Sequence, residues 1–292
     1  RDRKEAGAIA FTDDGKGVQN EELFRQAMIA AKDLDMAILD HSEDESLSLG
    51  GAIHKGEISN QYKVKGIDSR SESVHVERGC RLSAETGCHY HVLHISTEES
   101  IKYVKEAKAK GLRVTAEVSP HHLLLCDEDI PEREAGQLNP NWKMNPPLRS
   151  KKDREACVKA LMDGTIDAIA TDHAPHSPAE KAAPIEKAPF GIIGLETAFP
   201  LIYTNFVKTA KLSLNKLIDL MSKQAGALFK LEMGQITKGS VANLVIFDLE
   251  NPFKIEENYF ASKSKNSPFI NYELYGKTLY TFYHGKIVYT GE

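Results

Sequence analysis

The stretch His89-Tyr-His-Val-Leu-His94, followed by Glu98 to Lys110 and then by Arg113-Val-Thr-Ala-Glu117, decides the fold. Two short apolar runs flank an amphipathic segment of helical length. Strand, helix, strand in this order is a βαβ unit, whose two strands lie parallel. The alternation continues outward on both sides. Upstream, Ala8-Ile-Ala-Phe11 precedes a helix over Glu21 to Asp35, and Met36-Ala-Ile-Leu-Asp40 precedes one over Glu72 to Thr86. Downstream, a long loop leads to a helix over Lys151 to Asp163 and a fifth run, Asp167-Ala-Ile-Ala-Thr171. The spacing predicts five parallel strands, apolar enough to be covered on one face and packed within on the other. Beyond about residue 235 the pattern changes. Val241 to Phe247 and Leu279 to Tyr289 read as strands with no helix between them, and His284-Gly285 marks a turn. Residues 1–234 are therefore expected to form an α/β unit and 235–292 a small β unit.

Composition limits the function classes. The 292 residues are 27% charged and 41% hydrophobic, an ordinary globular balance. A net charge of -5, with Lys and Arg scattered among acids, gives no basic face for nucleic acid. No apolar run reaches the roughly 18 residues a membrane span needs. Cys80, Cys88, Cys126 and Cys157 are widely spaced and form no CxxC, which reads as reduced thiols in a cytoplasmic protein.

The polar residues at strand ends carry the chemistry. Asp13-Asp14-Gly15 follows the first strand, His41 the second, His94 ends the third, and Asp172-His173-Ala-Pro-His176 follows the fifth. In a parallel α/β barrel the active site lies at the C-terminal ends of the strands, so these residues share one rim. Imidazole and carboxylate are the usual zinc ligands, and a nearby carboxylate can move protons. Taken singly, each residue has a plainer reading: a histidine after a strand is commonly a hydrogen-bonded rim residue, and Asp-Asp-Gly is commonly a turn. Their joint occurrence at successive strand ends favours a metal. His54, His75, His89, His91 and His284 take the plain reading, without partners. His121-His122, after the fourth strand, is expected to play a supporting role.

Several segments resemble bacterial dihydroorotases of the amidohydrolase superfamily. They are Phe11-Thr-Asp-Asp-Gly15, Ser119-Pro-His-His122, Lys143-Met-Asn-Pro-Pro-Leu-Arg149, Ala170-Thr-Asp-His-Ala-Pro-His176 and Pro189-Phe-Gly191. Val241-Ala-Asn-Leu-Val-Ile-Phe-Asp248 is similar to that superfamily's last sandwich strands, with Asn243 where the family usually has Asp. The resemblance implies a (β/α)8 TIM-type barrel, of which strands four to eight are present here, with a small appended β-sandwich portion. It implies two Zn2+ ions. Asp14 would bridge them, Asp13 being the alternative if the register shifts by one. His41 and His94 would bind the second ion. Asp172 would bind the first and serve as general base, then as acid. Asn145, His176, Phe190 and Gly191 would hold a small-molecule substrate. The activity implied is reversible hydrolysis of dihydroorotate to N-carbamoyl-aspartate. Two partners follow as expectations, a second copy of the chain and aspartate transcarbamoylase.

The family's His-x-His-x-Arg, which supplies the first ion's histidines, does not occur in these residues; His89-Tyr-His91 lies in a different strand. Strand counting places that motif in an N-terminal segment, and a chain without it is expected to be inactive. The rivals are a hydantoinase, dihydropyrimidinase or allantoinase on the same scaffold, and a non-catalytic partner of aspartate transcarbamoylase. Asp14 in place of the carboxylated lysine of hydantoinases, together with Asn145-Pro-Pro, favours dihydroorotase. The loop from Pro178 to Pro189 is expected to move over the site.

Overall fold

A computed structural model describes residues 1–134, 136–231 and 234–291. Five strands make one parallel sheet in sequence order: β1 (Ala10–Thr12), β2 (Ala37–Asp40), β3 (Tyr90–Val92), β4 (Val114–Val118) and β5 (Ala168–Ile169). The register pairs Ala10 with Ala37, Ile38 with Tyr90, Tyr90 with Val114 and Glu117 with Ala168. The helices that cross over between them are α1 (Glu21–Asp33), α2 (Arg70–Thr86), α3 (Glu98–Ala109) and α4 (Lys151–Asp163). Each of these strands and helices falls within a residue or two of its predicted place.

Local chemistry sets the helix ends. Asn20, Thr97 and Ser150 accept backbone N–H bonds from Leu23, Ser100 and Asp153, as N-caps do. Gly87 and Gly164 close α2 and α4 in the left-handed conformation that a side chain resists. The helices cover one face of the sheet. Phe24 and Met28 of α1, Val76 and Leu82 of α2, Val104 of α3 and Leu161 of α4 pack on Tyr90, Val92, Ala116 and Val118. Alternation along β4 puts Thr115 and Glu117 on the opposite face, which would be the inside of a barrel.

Helix α2 sits unusually close to β3. A Cβ at Gly79 would lie 2.0 Å from Cζ of Tyr90, a fully buried ring whose hydroxyl donates to Asp40 Oδ2 at 2.7 Å. Neither side can give way easily. Gly79→Ala is therefore expected to cost about 1–3 kcal/mol or more of stability, read as a lower urea midpoint. An unchanged midpoint would show that the helix can slide.

The second core lies over the C-terminal ends of the strands. Ile130, Leu138, Met144, Leu148, Ile192 and Leu201 pack there with Ile255, Phe260, Phe269 and Leu274. Residues 253–274 thus fold back onto the barrel loops. The last element is an antiparallel sheet of β6 (Leu244–Asp248), β7 (Lys277–Tyr283) and β8 (Lys286–Thr290). His284 and Gly285, both at positive φ, form the tight turn between β7 and β8. All four cysteines are free and buried. Among the described residues no helix is long and apolar enough to cross a membrane.

Candidate metal centre

Three side chains from three successive strand ends meet at one point. His41 Nδ1 and His94 Nε2 face each other at 3.2 Å. Asp14 Oδ1 lies 3.4 Å from the first and 3.7 Å from the second. Both imidazoles are buried, while the carboxylate is half exposed. Two ring nitrogens and a carboxylate oxygen converging in this way are a donor set that suits zinc or a similar divalent ion. Asp13 is otherwise engaged: its carboxylate accepts from the backbone N–H of Val18 at 2.8 Å and of His41 at 2.9 Å. It fixes the loop that carries Asp14.

The site holds strong local fields. Hydrogen bonds with His41 and His94 keep Asp14 far below the usual carboxylate range. Burial opposes a charge on His41, but Asp14 and Glu43 outweigh it and raise the imidazole to about 10. Glu43 lies 3.0 Å from His41 Nε2 and accepts from Asn145 Nδ2 at 2.8 Å. Burial would raise this carboxyl, yet bonds from His41, Ser48 and Asn145 bring it down to about 2. A carboxylate on the far nitrogen of a metal-binding histidine fixes its tautomer and its aim. Sequence reading missed Glu43. The available signal was His41-Ser-Glu43, which puts the acid on the same side of the extended chain as the imidazole.

His94 has φ 32 and Asp172 has φ 48, a region that non-glycine residues enter at a cost of about 1–3 kcal/mol. Neighbouring strands hold His94 there: Leu93 N–H donates to Asp40 O at 3.2 Å and Ile95 N–H to Glu117 O at 2.9 Å. Asp172 stands on the same rim, outside the tight group of three. Burial raises its pKa, helped by Asp14 and Glu117 and opposed by His94 and His41.

The remaining expected residues are found in firm contacts. Asn145 spends its amide on Glu43 and lies 3.3 Å from His41 Nε2. His176 Nε2 donates to Phe190 O at 2.7 Å. Gly191, at φ 119, has no room for a Cβ, which would come within 2.4 Å of Ala174 Cβ. Asn266, from the C-terminal segment, ties this region together. It accepts from His176 N–H and donates to the carbonyls of Ala174 and Gly191, both at 3.0 Å. No local motif marks it in sequence.

Two expectations need correction. His75, His89 and His91 are not without partners: His75 Nδ1 lies 3.3 Å from Arg78 Nη2, the His89 and His91 rings bond Thr115 Oγ1 at 2.8 Å, and His91 also meets Glu117 at 3.1 Å. Strand pairing of β3 with β4 brings His89 and His91 to Thr115, which no local pattern signals. The loop from Pro178 to Pro189 is tied down. Buried Lys181 donates to the carbonyls of Pro140, Lys143 and Pro189. Buried Lys143 donates to Ala188 O at 2.7 Å and sits over the Phe190 ring. His121 and His122 do take a supporting place: both are buried, and His122 bonds Ser119 Oγ and the Pro146 carbonyl.

A parallel sheet bearing two histidines and a carboxylate at successive strand ends places a candidate metal site where an α/β barrel builds its active site. Residues 71–289 match the profile of the amidohydrolase family, and 2–100 match a dihydro-orotase-like profile. The chain belongs to the amidohydrolase family. Dihydroorotases of Bacillus caldolyticus and Listeria monocytogenes are each 53% identical to it over 286 residues, 98% of this chain and 66% of theirs. The chain thus spans just under two-thirds of the length of these relatives. Among solved structures, the L-hydantoinase of Arthrobacter aurescens matches with a TM-score of 0.83 and 26% identity, over all of this chain and 67% of its own. The dihydropyrimidinase of Brevibacillus agri matches with a TM-score of 0.81 and 22% identity, over 96% of this chain and 62% of its own. These structures bear out the TIM-type barrel.

Proposed function

We propose that this chain carries the greater part of a cytoplasmic dihydroorotase, which hydrolyses dihydroorotate to N-carbamoyl-aspartate and closes the ring in reverse. The observation that carries the reading is Asp14. A short carboxylate stands between the two histidines, where the resemblance places a carboxylated lysine in hydantoinases. The 53% identity with proteins named dihydroorotase supports the same choice.

In this reading Asp14, His41 and His94 hold one zinc ion. Asp14 and Asp172 would contribute to holding a second ion, together with residues from the part of the relatives that this chain does not span. A zinc ion held there would supply Lewis-acid chemistry for the ring amide carbonyl and for water near neutral pH. The protein residues do the rest. Glu43 and Asn145 hold the His41 ring in place. Asp172 takes the proton of the attacking water and returns it to the departing ring nitrogen. His176, Phe190 and Gly191, stitched together by Asn266, form the wall against which the substrate is oriented.

The test is dihydroorotate hydrolysis in zinc-containing buffer. The 292-residue chain alone is expected to be silent. The chain joined to the N-terminal segment of its dihydroorotase relatives is expected to turn over dihydroorotate and not hydantoin. Preference for hydantoin would reverse the assignment. Silence of the joined chain with zinc bound would favour the non-catalytic partner. Turnover by the 292 residues alone would overturn the shared-site reading.

A further inference from the structure

Glu72, in the first turn of α2, is among the most buried charged groups in the molecule and touches none of the proposed ligands. Its carboxylate is fully engaged. One oxygen accepts the N–H groups of Ser96 at 3.0 Å and Thr97 at 3.1 Å, and the Thr97 hydroxyl at 3.1 Å. The other accepts the Ser96 hydroxyl and faces the Arg149 guanidinium at 3.7 Å. Arg149, equally buried, also donates from Nε to Ser96 Oγ at 3.0 Å.

The two arms of this pair lead to the two imidazoles. Ser96 and Thr97 come directly after His94-Ile95, so the carboxylate holds the turn in which His94 is kept at positive φ. Arg149 ends the segment that begins at Asn145, whose amide grips Glu43 beside His41. Between them the Pro146 carbonyl accepts from His122 and Leu148 is buried in the second core. One ion pair thus ties the loop of one histidine to the clamp on the other.

We propose that Glu72 and Arg149 are the positioning pair of the metal centre: by anchoring the loops 94–97 and 145–149 to each other, they set the distance between His41 and His94 and so the affinity for a divalent ion. The proposal rests on the metal reading given above, yet it adds residues that contact neither ion nor substrate. Removing a group bonded directly to a metal ligand typically lowers metal affinity by about 10- to 100-fold; Glu72 and Arg149 act one bond further out, at the low end of that range.

The experiment titrates Co2+ into the 292-residue chain and follows its visible absorption, with amide hydrogen exchange read over residues 95–98. Glu72→Ala is expected to bind Co2+ about 10-fold more weakly and to expose the Ser96 and Thr97 amides. Glu72→Gln keeps acceptors for those amides and is expected to recover part of the affinity. Leu82→Ala, a core truncation on the same helix, is the control that a merely structural role would match. Should Glu72→Ala fail to fold, Arg149→Lys carries the same test, because it keeps the charge and loses the bond to Ser96. Wild-type affinity in a folded Glu72 or Arg149 variant would overturn the proposal, as would an equal loss in Leu82→Ala. No Co2+ binding by the wild type would overturn the metal centre itself, and the positioning role with it.

Discussion

Asp172→Asn is expected to lower dihydroorotate turnover by about 10²- to 10⁴-fold, the usual contribution of a positioned acid–base group. The substitution is sterically conservative. Asn tolerates the left-handed backbone better than most residues, so the φ of 48 at this position is not a new strain. The side chain keeps its size but loses its charge, its capacity to take a proton and a ligand oxygen for zinc, so zinc content has to be followed together with turnover. Burial, with Asp14 and Glu117 adding to it, raises the carboxyl above its ordinary range, against the pull of His94 and His41. Because the proton moves only in the transition state, kcat and kcat/KM should fall together while KM changes little. The measurement uses the chain joined to its relatives' N-terminal segment, with zinc content determined in parallel. Zinc retained and turnover lost assigns the proton to Asp172. Turnover retained removes Asp172 from the mechanism.

That residue, like most of the site, was legible because a parallel sheet converts sequence order into position. Asp14, His41 and His94 are far apart along the chain, but each follows a strand, and adjacent strands bring them within ligand distance. The same rule made the helices legible, since each buries one apolar stripe and ends at a cap or a glycine. What stayed hidden depends on contacts that cross the sheet or the loops. Glu43 looks like one acid in an acidic run until Asn145 closes on it. Asn266 lies in a loop with no periodicity, and its role exists only where residues 253–274 fold back over the strand ends. The buried lysines Lys143 and Lys181 sit in segments that read as polar loops, and three-dimensional crowding alone reveals that they bind carbonyls. The pairing of His91 with Glu117 follows from strand register, which a list of strands does not contain.

Acid is expected to unfold this protein well before its carboxylates are exhausted. Burial is the first cause holding His54, His75, His89 and His122 down at about 4, with nearby cations or imidazoles adding to it. In the unfolded chain an imidazole titrates near 6.5. Between these values the unfolded state binds more protons, so stability falls as pH drops from about 6.5 to 4. Asp40 and Asp127 work the other way. Burial raises both to about 6, so the folded state binds more protons between about 4 and 6 and gains stability as pH drops through that range. His41, raised to about 10 by Asp14 and Glu43, adds no slope below about 6.5. These four histidines, with His121 also held well below its ordinary value by burial, outweigh the two carboxyls. After allowance for partial solvent screening, the net loss between pH 7 and pH 5 comes to about 2–5 kcal/mol, a large share of the roughly 5–15 kcal/mol that holds a domain folded. Below about pH 4 the lowered carboxyls, Glu43 among them, reinforce the loss as they protonate. Urea midpoints at pH 7, 6 and 5 measure the effect. His75→Gln, which cannot take up the proton, should flatten the slope. A midpoint that holds steady from pH 7 to pH 5 would mean that these imidazoles reach solvent when they charge.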